Sequence, residues 1–459
     1  MKQMRLKIEE IVSAVNGVLH QLKSTNTEIT QVEFDTRKVV EGTLFVPLKG
    51  NRDGHDFIET AFENGAALTL SDHILEEDVP YILVEDTQKA LQDLAKYYLN
   101  KINPKVVGIT GSNGKTTTKD MTAAVVSQTF KTYKTQGNYN NEIGLPYTIL
   151  SMDEETEVAV LEMGMDRKGD IELLSKIGQP DIAAITIIGE SHIEYLGSRK
   201  GIAEAKMEIV SGLKKKGSLI VPNNEPLLTP LLKDVTQKII QFGLNDEATI
   251  KGTILSELKT KTTFVTNLYP DVTFSIPVLG KYNVNNALIA ISVGKELGVP
   301  VEKIVSGLAT FDLTKNRTEW LETKEGMSIL SDVYNANPTA MKLVLDSFSK
   351  VETVGKKKVV LGDMLELGHE SNLMHESVAA HLDPKKIADV YLYGSEMAHL
   401  YKALEDKFEK EHLHLFKKEE KELLKSELSN QLAVTDTVFL KGSNGMGLSE
   451  IVEYLLNNH

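Results

Sequence analysis

An apolar run at 106–110, a glycine-rich turn and a helical stretch at 116–130 follow one another without a break, and this succession constrains the fold more than any other segment. It reads Gly108-Ile109-Thr110-Gly111-Ser112-Asn113-Gly114-Lys115-Thr116-Thr117 through the turn. A buried strand that feeds a helix N-terminus aims several backbone N–H groups at one point, and that point attracts phosphate oxygens. Gly111 and Gly114 permit the close approach, Lys115 adds a point charge for the outer phosphates, and the Thr116 hydroxyl suits a magnesium ion bridging them. The general phosphate-loop pattern asks for glycine five positions before Gly114, where this chain has Ile109, with Gly108 one place upstream. The Gly-Lys-Thr triplet in a strand–turn–helix context outweighs that mismatch and predicts a nucleotide site on an α/β sheet.

At 459 residues the chain exceeds what one core serves. Its strand and helix patterning predicts three domains in an α/β fold. They are a small N-terminal α/β domain at 1–103, a central P-loop ATPase-like domain at 104–314 and a C-terminal Rossmann-like domain at 315–459. The central domain is expected to be a doubly wound parallel sheet, because strands at 158–163, 182–188 and 217–221 alternate with helices. β-rich segments at 261–267 and 272–277 then predict an antiparallel addition, before helices at 283–297 and 301–309. With 51 Lys plus Arg against 65 Asp plus Glu, the net charge of −14 argues against a broad nucleic-acid or anionic-lipid surface. The absence of cysteine excludes disulfides, thiolate ligands and a cysteine nucleophile, and fits a cytoplasmic protein. Residues 1–12 mix Lys with Glu, which is unlike a secretory leader, and the apolar run at 182–188 is too short to span a membrane.

Further polar residues fall where open α/β sheets bind ligands, at the carboxyl ends of strands. Glu162 ends the apolar run 158–161 and suits a magnesium ligand, while His192 follows the run 182–188 into the same crevice. Lys206 lies in a helical segment where a solvated lysine is the default reading. His369, His375, His412 and His414 lack a credible partner set and are read as non-ligands. Asparagine-rich loops recur at Gly137-Asn138-Tyr139-Asn140-Asn141, at Asn283-Val284-Asn285-Asn286 and at Asp332-Val333-Tyr334-Asn335-Ala336-Asn337-Pro338. Amides that donate and accept at once suit substrates dense in phosphate, carbonyl and hydroxyl groups, although asparagine is also common in plain turns.

Taken together these segments resemble the Mur ligases, the ATP-dependent amide-bond formers of peptidoglycan precursor synthesis. In that family the loop is written Thr-Gly-x-x-Gly-Lys-Thr, which residues Thr110 to Thr116 satisfy. Tyr334-Asn335-Ala336-Asn337-Pro338 and Leu361-Gly362-Asp363-Met364-Leu365-Glu366-Leu367-Gly368 resemble the branch that adds D-alanyl-D-alanine to UDP-N-acetylmuramoyl-tripeptide (UDP-MurNAc-tripeptide). The resemblance implies that Gly111, Ser112, Asn113, Gly114, Lys115, Thr116 and Thr117 hold ATP. It implies a Mg²⁺ site formed by Thr116, Glu162, His192 and Lys206, the lysine carrying a carbamate made from CO₂. Lys115, Lys206, His192 and Glu162 are thereby the implied catalytic set. Asn283 and Asn286 match positions near the adenine, and Arg317 and Asp332 match nucleotide contacts from the hinge and C-terminal domain. Asp35, Thr36 and Arg37, with Gly50, Asp53 and His55, resemble the segments that hold uridine diphosphate. Asn138 and Asn141 resemble the loop that meets the muramoyl substrate, and Tyr334, Asn335 and Asn337 are assigned to substrate binding.

Three positions depart from the family's common form: Thr36 for serine, Lys281-Tyr282 for an Arg-His pair, and Asn444 for arginine. The implied reaction passes the γ-phosphoryl of ATP to the tripeptide carboxylate, and the amine of D-Ala-D-Ala then attacks the acyl phosphate. Domain closure about a hinge at 311–316 is expected to exclude water. The partners implied are these small molecules, with no nucleic acid and no membrane insertion, acting on a monomer. Two alternatives remain at this point: another Mur-type or a folylpolyglutamate-type ligase, sharing Lys115, Glu162, His192 and Lys206 but not the motif at 334–338, and a nucleotide-driven switch.

Overall fold

The computed structural model describes residues 4–21, 28–76 and 78–458; residues 1–3 of the charged N-terminal segment lie outside them. Helix α1 (Ile8–Val15) precedes a sheet of β1 (Val18–His20), β2 (Gln31–Glu33), β3 (Thr43–Phe45), β4 (Ala66–Ser71) and β5 (Tyr81–Leu83). The strands lie in the order β1-β5-β4-β3-β2, and all pairs except β1–β5 are parallel. Helix α2 (Thr87–Ile102) starts at Asp86, whose carboxylate accepts from Lys89 N at 2.7 Å. It buries Leu91, Leu94, Ala95 and Tyr98 along one stripe and stops at Asn103, which turns left-handed (φ 49°) before Pro104.

The next sheet opens with β6 (Lys105–Thr110) and the phosphate-loop helix α3 (Lys115–Val126). It continues through β7 (Thr132–Lys134), α4 (Gly144–Leu150), β8 (Val158–Glu162), α5 (Asp170–Gly178), β9 (Ile182–Ile185), α6 (Arg199–Met207), β10 (Ser218–Pro222) and β11 (Lys238–Gly243). Three longer strands, β12 (Ile250–Leu258), β13 (Lys261–Thr266) and β14 (Tyr269–Ile276), complete an order β14-β13-β12-β11-β10-β9-β6-β8-β7. β7 to β12 are parallel and β12-β13-β14 antiparallel, so the doubly wound core carries the expected antiparallel addition. The connections leave β6 toward β8 on one side and β9 on the other, which opens a crevice at its carboxyl end. Helix α7 (Lys281–Glu296) packs on α3, and Gly294 permits the approach, since a Cβ there would stand 2.9 Å from Val125 Cγ1.

The last sheet has β15 (Glu319–Glu322), β16 (Ser328–Asp332), β17 (Lys357–Gly362), β18 (Asp389–Tyr393), β19 (Leu413–Phe416) and β20 (Thr437–Lys441) in the order β15-β16-β20-β17-β18-β19. Only β15 is antiparallel to its neighbour. Helix α8 (Pro338–Phe348) follows β16, with Pro338 in its first turn and Asn337 as its cap. Strand β9 ends at Ile185, short of the expected 188, because Thr186 and Ile187 bend over the phosphate loop. Thr186 N donates to Thr110 O, and Ile187 O accepts from Ser112 N, both at 2.9 Å. The highly charged stretch 417–427 forms a turn and the start of a helix that runs to Gln431 and buries Leu424 and Leu428. No helix among the described residues is long and apolar enough to cross a membrane.

Candidate active site

The glycines of the loop are required by geometry. Gly111 has φ +151°, and a Cβ there would meet Thr186 Oγ1 at 1.8 Å; Gly114 has φ +77° and a Cβ would meet Asn286 Oδ1 at 2.7 Å. The loop is braced from β9's extension: Gly189 N donates to Ser112 Oγ at 2.9 Å, Ser191 Oγ to Ser112 O at 3.0 Å, and Thr186 Oγ1 to Asn113 O at 2.5 Å. Lys115 Nζ folds back onto Gly111 O at 2.9 Å. Burial pushes its ammonium below the ordinary lysine range, opposed by Glu162. An anion in the cleft would therefore find a desolvated cation close by.

A cleft of about 1260 Å³ runs past this loop and is lined by Ser112 to Thr116, Asn138, Asn140, Glu162, His192, Arg317, Tyr334 and Asn335. At its floor Glu162 Oε1 accepts from Asn140 Nδ2 at 2.9 Å, while Glu162 Oε2 is buried with no hydrogen-bond partner. Lys206, on α6, is 2% exposed and has no hydrogen-bond or ion-pair partner among the described residues. Burial, and then the Lys115 charge, drive its amine well below the usual lysine value. His192 (φ +61°) sits 2.7 Å through Nδ1 from Glu366 Oε2 and 3.4 Å from Asp166 Oδ1. Burial and Lys115 hold its imidazole below the ordinary range, against Glu366 and Asp166. An orphaned carboxylate oxygen, a threonine hydroxyl and a neutral imidazole form a donor set that fits a hard divalent cation.

A second cleft of about 690 Å³ lies on the other side of Gly114 and is lined by Asn113, Thr117, Tyr282, Asn283, Asn285, Asn286, Arg317, Asp332 and Lys441. Asn286 Nδ2 donates to Asn283 Oδ1 at 3.0 Å and Asn283 Nδ2 to Leu279 O at 2.8 Å, so this pair is preset before any ligand arrives. Arg317 stacks its guanidinium 3.9 Å from the Tyr334 ring centroid and reaches Thr116 Oγ1 at 3.5 Å. Its Nε is buried without a partner, an unmet donor beside the phosphate loop. Asp332 accepts from Lys441 Nζ at 2.5 Å and from Thr318 N at 3.2 Å.

The N-terminal candidates gather at the carboxyl edge of their own sheet. Asp35 pairs with Arg37 through two bonds of 2.8 and 2.9 Å, and that guanidinium holds its carboxyl down to about 2. Thr36 follows Asp35 in the same turn, its carbonyl accepting from Asn64 at 2.9 Å. After β3, Gly50 is open to solvent on its Cα side, and Asp53 accepts from His55 N and Nδ1 at 3.0 and 2.7 Å. Lys38 lies 5.9 Å from the ring centroids of Tyr139 and Tyr147, and Tyr147 OH donates to the buried Glu33 at 2.6 Å. These contacts join the N-terminal edge to the asparagine loop.

Two residues expected to meet substrate also make contacts within the protein. Asn337 is 1% exposed, and its amide is committed to Ala340 N, Asn113 Oδ1 at 2.9 Å and Ser191 Oγ at 2.6 Å. It latches the C-terminal domain to the phosphate loop. Asn141 Oδ1 caps the start of α4 by accepting from Gly144 N at 2.8 Å, and no bond from its Nδ2 is seen among the described residues. Sequence reasoning passed over Asn140, Tyr282, Glu366 and Lys441. Asn140 and Glu366 stood inside quoted motifs, whereas nothing local marks Lys441, whose partner is 109 residues away. His375 is a core residue, accepting from Met364 N at 3.0 Å, in line with its reading as a non-ligand.

Family models match three consecutive stretches: the Mur ligase family catalytic domain at 28–99, the Mur ligase middle domain at 109–294 and the Mur ligase glutamate ligase domain at 316–444. The chain is 44% identical over 455 residues to UDP-N-acetylmuramoyl-tripeptide–D-alanyl-D-alanine ligase of Bacillus subtilis, covering 98% of each. Among solved structures it is similar to MurF from Acinetobacter baumannii (TM-score 0.89, 28% identity, all of both chains). It is also similar to MurF ligase from Thermotoga maritima in complex with ADP (TM-score 0.81, 28% identity, 93% of this chain and 97% of that one). Identity sustained over the whole length, on a shared fold that brings the phosphate loop, Glu162 and His192 to one cleft, establishes that this chain belongs to the Mur ligase family.

Proposed function

We propose that the chain is an ATP-dependent ligase that joins D-alanyl-D-alanine to UDP-MurNAc-tripeptide, yielding the UDP-linked pentapeptide, ADP and phosphate for peptidoglycan synthesis. One observation carries this reading. The phosphate loop, the orphaned Glu162 oxygen and the Tyr334-Asn335 motif face one cleft. The name of the 44%-identical Bacillus subtilis relative supplies the substrates, and the ADP complex of the Thermotoga maritima relative supports ATP as the phosphoryl donor.

A carboxylate does not acylate an amine at neutral pH, because it is a poor electrophile with a poor leaving group. Transfer of the γ-phosphoryl to the tripeptide carboxylate makes an acyl phosphate, and the dipeptide amine then attacks the carbonyl, expels phosphate and loses a proton. In this reading Lys115, Arg317 and the loop amides hold the phosphates and offset the charge of the approaching anions. Thr116, Glu162, His192 and a carbamylated Lys206 would hold Mg²⁺, which supplies charge neutralisation for the transferring phosphoryl group. The carbamate forms when the neutral Lys206 amine adds to CO₂ and releases a proton. Its burial without a partner favours that neutral amine, and the resulting anion would sit beside Lys115.

Asn283, Asn286 and Asp332 form the wall for the base and ribose side. Asp35, Thr36, Arg37, Gly50, Asp53 and His55 take the uridine diphosphate, Asn138 and Asn141 the muramoyl peptide, and Tyr334 and Asn335 the reacting ends. We divide the chain at 103/104 and 314/315, place it in the cytoplasm, where UDP-linked precursors and ATP occur together, and treat it as a monomer, because one chain supplies every residue invoked. The test is phosphate release from Mg·ATP with each substrate alone and with both, together with the product mass. Release that needs both and matches pentapeptide formation supports the ligase. Hydrolysis indifferent to both refutes it.

A further inference from the structure

The motif Leu361-Gly362-Asp363-Met364-Leu365-Glu366-Leu367-Gly368 contributes nothing to the nucleotide cleft, yet it is held rigidly. Asp363 Oδ1 accepts from Met397 N at 2.9 Å and its carbonyl from Ser443 N at 3.1 Å; Met364 N donates to His375 and Leu365 N to Ser443 Oγ at 2.9 Å. The strut ends in Glu366, a non-glycine residue with φ +62°, a conformation persisting only where surroundings enforce it. Its carbonyl accepts from Glu194 N of the central domain at 3.2 Å. Its carboxylate stands 2.7 Å from Nδ1 of His192, itself left-handed at φ +61°. Two left-handed non-glycine residues thus meet across the boundary between the domains.

We propose that Glu366 is a positioning residue that fixes His192 only when the C-terminal domain is docked. The contact lacks hydrogen-bond geometry, and Nδ1 has no hydrogen-bond partner among the described residues, so the carboxylate bears on the ring by close contact where the ring lines the cleft with Thr116 and Glu162. A carboxylate packed against a ligating imidazole fixes the ring's orientation, and removing a group that orients a ligand typically weakens metal binding by about 10- to 100-fold. Docking itself has separate anchors. Thr339 N and Oγ1 both bond the Glu190 carboxylate at 3.0 Å, and Asn337 bonds Asn113 and Ser191. The metal site is therefore completed by closure, which ties phosphoryl transfer to the presence of the domain that brings the amine.

This inference rests on the metal reading given above, and the test separates the two. Mn²⁺ is titrated into the full-length protein with ADP, and free Mn²⁺ is followed by electron paramagnetic resonance. Glu366→Ala should weaken Mn²⁺ binding at least about tenfold, with unchanged thermal unfolding. Glu366→Gln, which keeps the length of the side chain and its contact with the ring, should recover most of that loss, and Glu366→Ala should add nothing in a His192→Ala background. Asp166→Asn, at the longer 3.4 Å contact, should have the smaller effect. Wild-type affinity in Glu366→Ala, with weakened affinity in His192→Ala, overturns the inference alone. Wild-type affinity in both His192→Ala and Glu162→Gln overturns it together with the metal reading.

Discussion

Replacing Lys441 by methionine isolates the contact that fixes Asp332 at the nucleotide cleft. Lys441 is 2% exposed and donates to Asp332 Oδ2 at 2.5 Å and to Asn335 O at 2.9 Å. Without it, the Asp332 carboxylate, 8% exposed, keeps one bond, from Thr318 N at 3.2 Å. Breaking a buried ion pair from one side costs about 3–5 kcal/mol, because the remaining charge is neither paired nor hydrated. Neutralising that charge as well, in Asp332→Asn/Lys441→Met, should return at least ~2 kcal/mol of the loss. The chain's single tryptophan, Trp320, lies in β15 beside β16, so its fluorescence reports this sheet in a urea titration. With a slope of about 2 kcal/mol per molar urea, the single variant should lower the midpoint by about 2 M. A loss below ~1 kcal/mol for Lys441→Met, or a double variant no more stable than the single one, would refute the reasoning.

Gly111→Ala forces a methyl group into Thr186 Oγ1, 1.8 Å away, at a backbone angle unsuited to alanine; ADP binding by calorimetry should fall at least about tenfold. Loss of dissolved CO₂ should reversibly lower ligation while leaving ADP binding intact, and Lys206→Ala should be insensitive to CO₂; equal sensitivity in both would remove the carbamate from the account. His375 must stay neutral to accept Met364 N–H, and burial lowers its folded-state value. The unfolded chain thus binds more protons below the ordinary imidazole range. Stability should be fully present above that range and fall as pH drops from it through the folded-state value, a slope that His375→Asn removes in pH-dependent urea melts.

The phosphate loop was legible because strand, glycine turn, lysine and helix are contiguous and each residue has a local reason to be there. Glu162 and His192 were legible as strand-end residues, since an α/β sheet carries such positions to one edge. Lys206 was not legible without the family resemblance: on a helix it reads as solvated, and only the packing around α6 reveals a buried amine with no partner among the described residues. The amide of Asn337 looked suited to substrate, but its oxygen caps α8 through Ala340 N, and its nitrogen bonds Asn113 and Ser191, partners that arise only after the domains meet. The apolar run through Ile188 read as one strand, because hydrophobicity does not register that the backbone leaves the ladder at Thr186 to brace Ser112. Glu366 escaped notice for the same reason as Lys441. Its partner is set by tertiary contact and not by spacing.

The proposed ligation requires this chain to activate a carboxylate by phosphorylating it. The direct measurement uses UDP-MurNAc-tripeptide labelled with ¹⁸O in its terminal carboxylate, turned over with ATP and D-Ala-D-Ala in unlabelled water. Passage through an acyl phosphate leaves one carboxylate oxygen on the released phosphate, so the phosphate should carry ¹⁸O in step with pentapeptide formation. Unlabelled phosphate accompanying product would contradict the account, because water would then be the acceptor of the phosphoryl group.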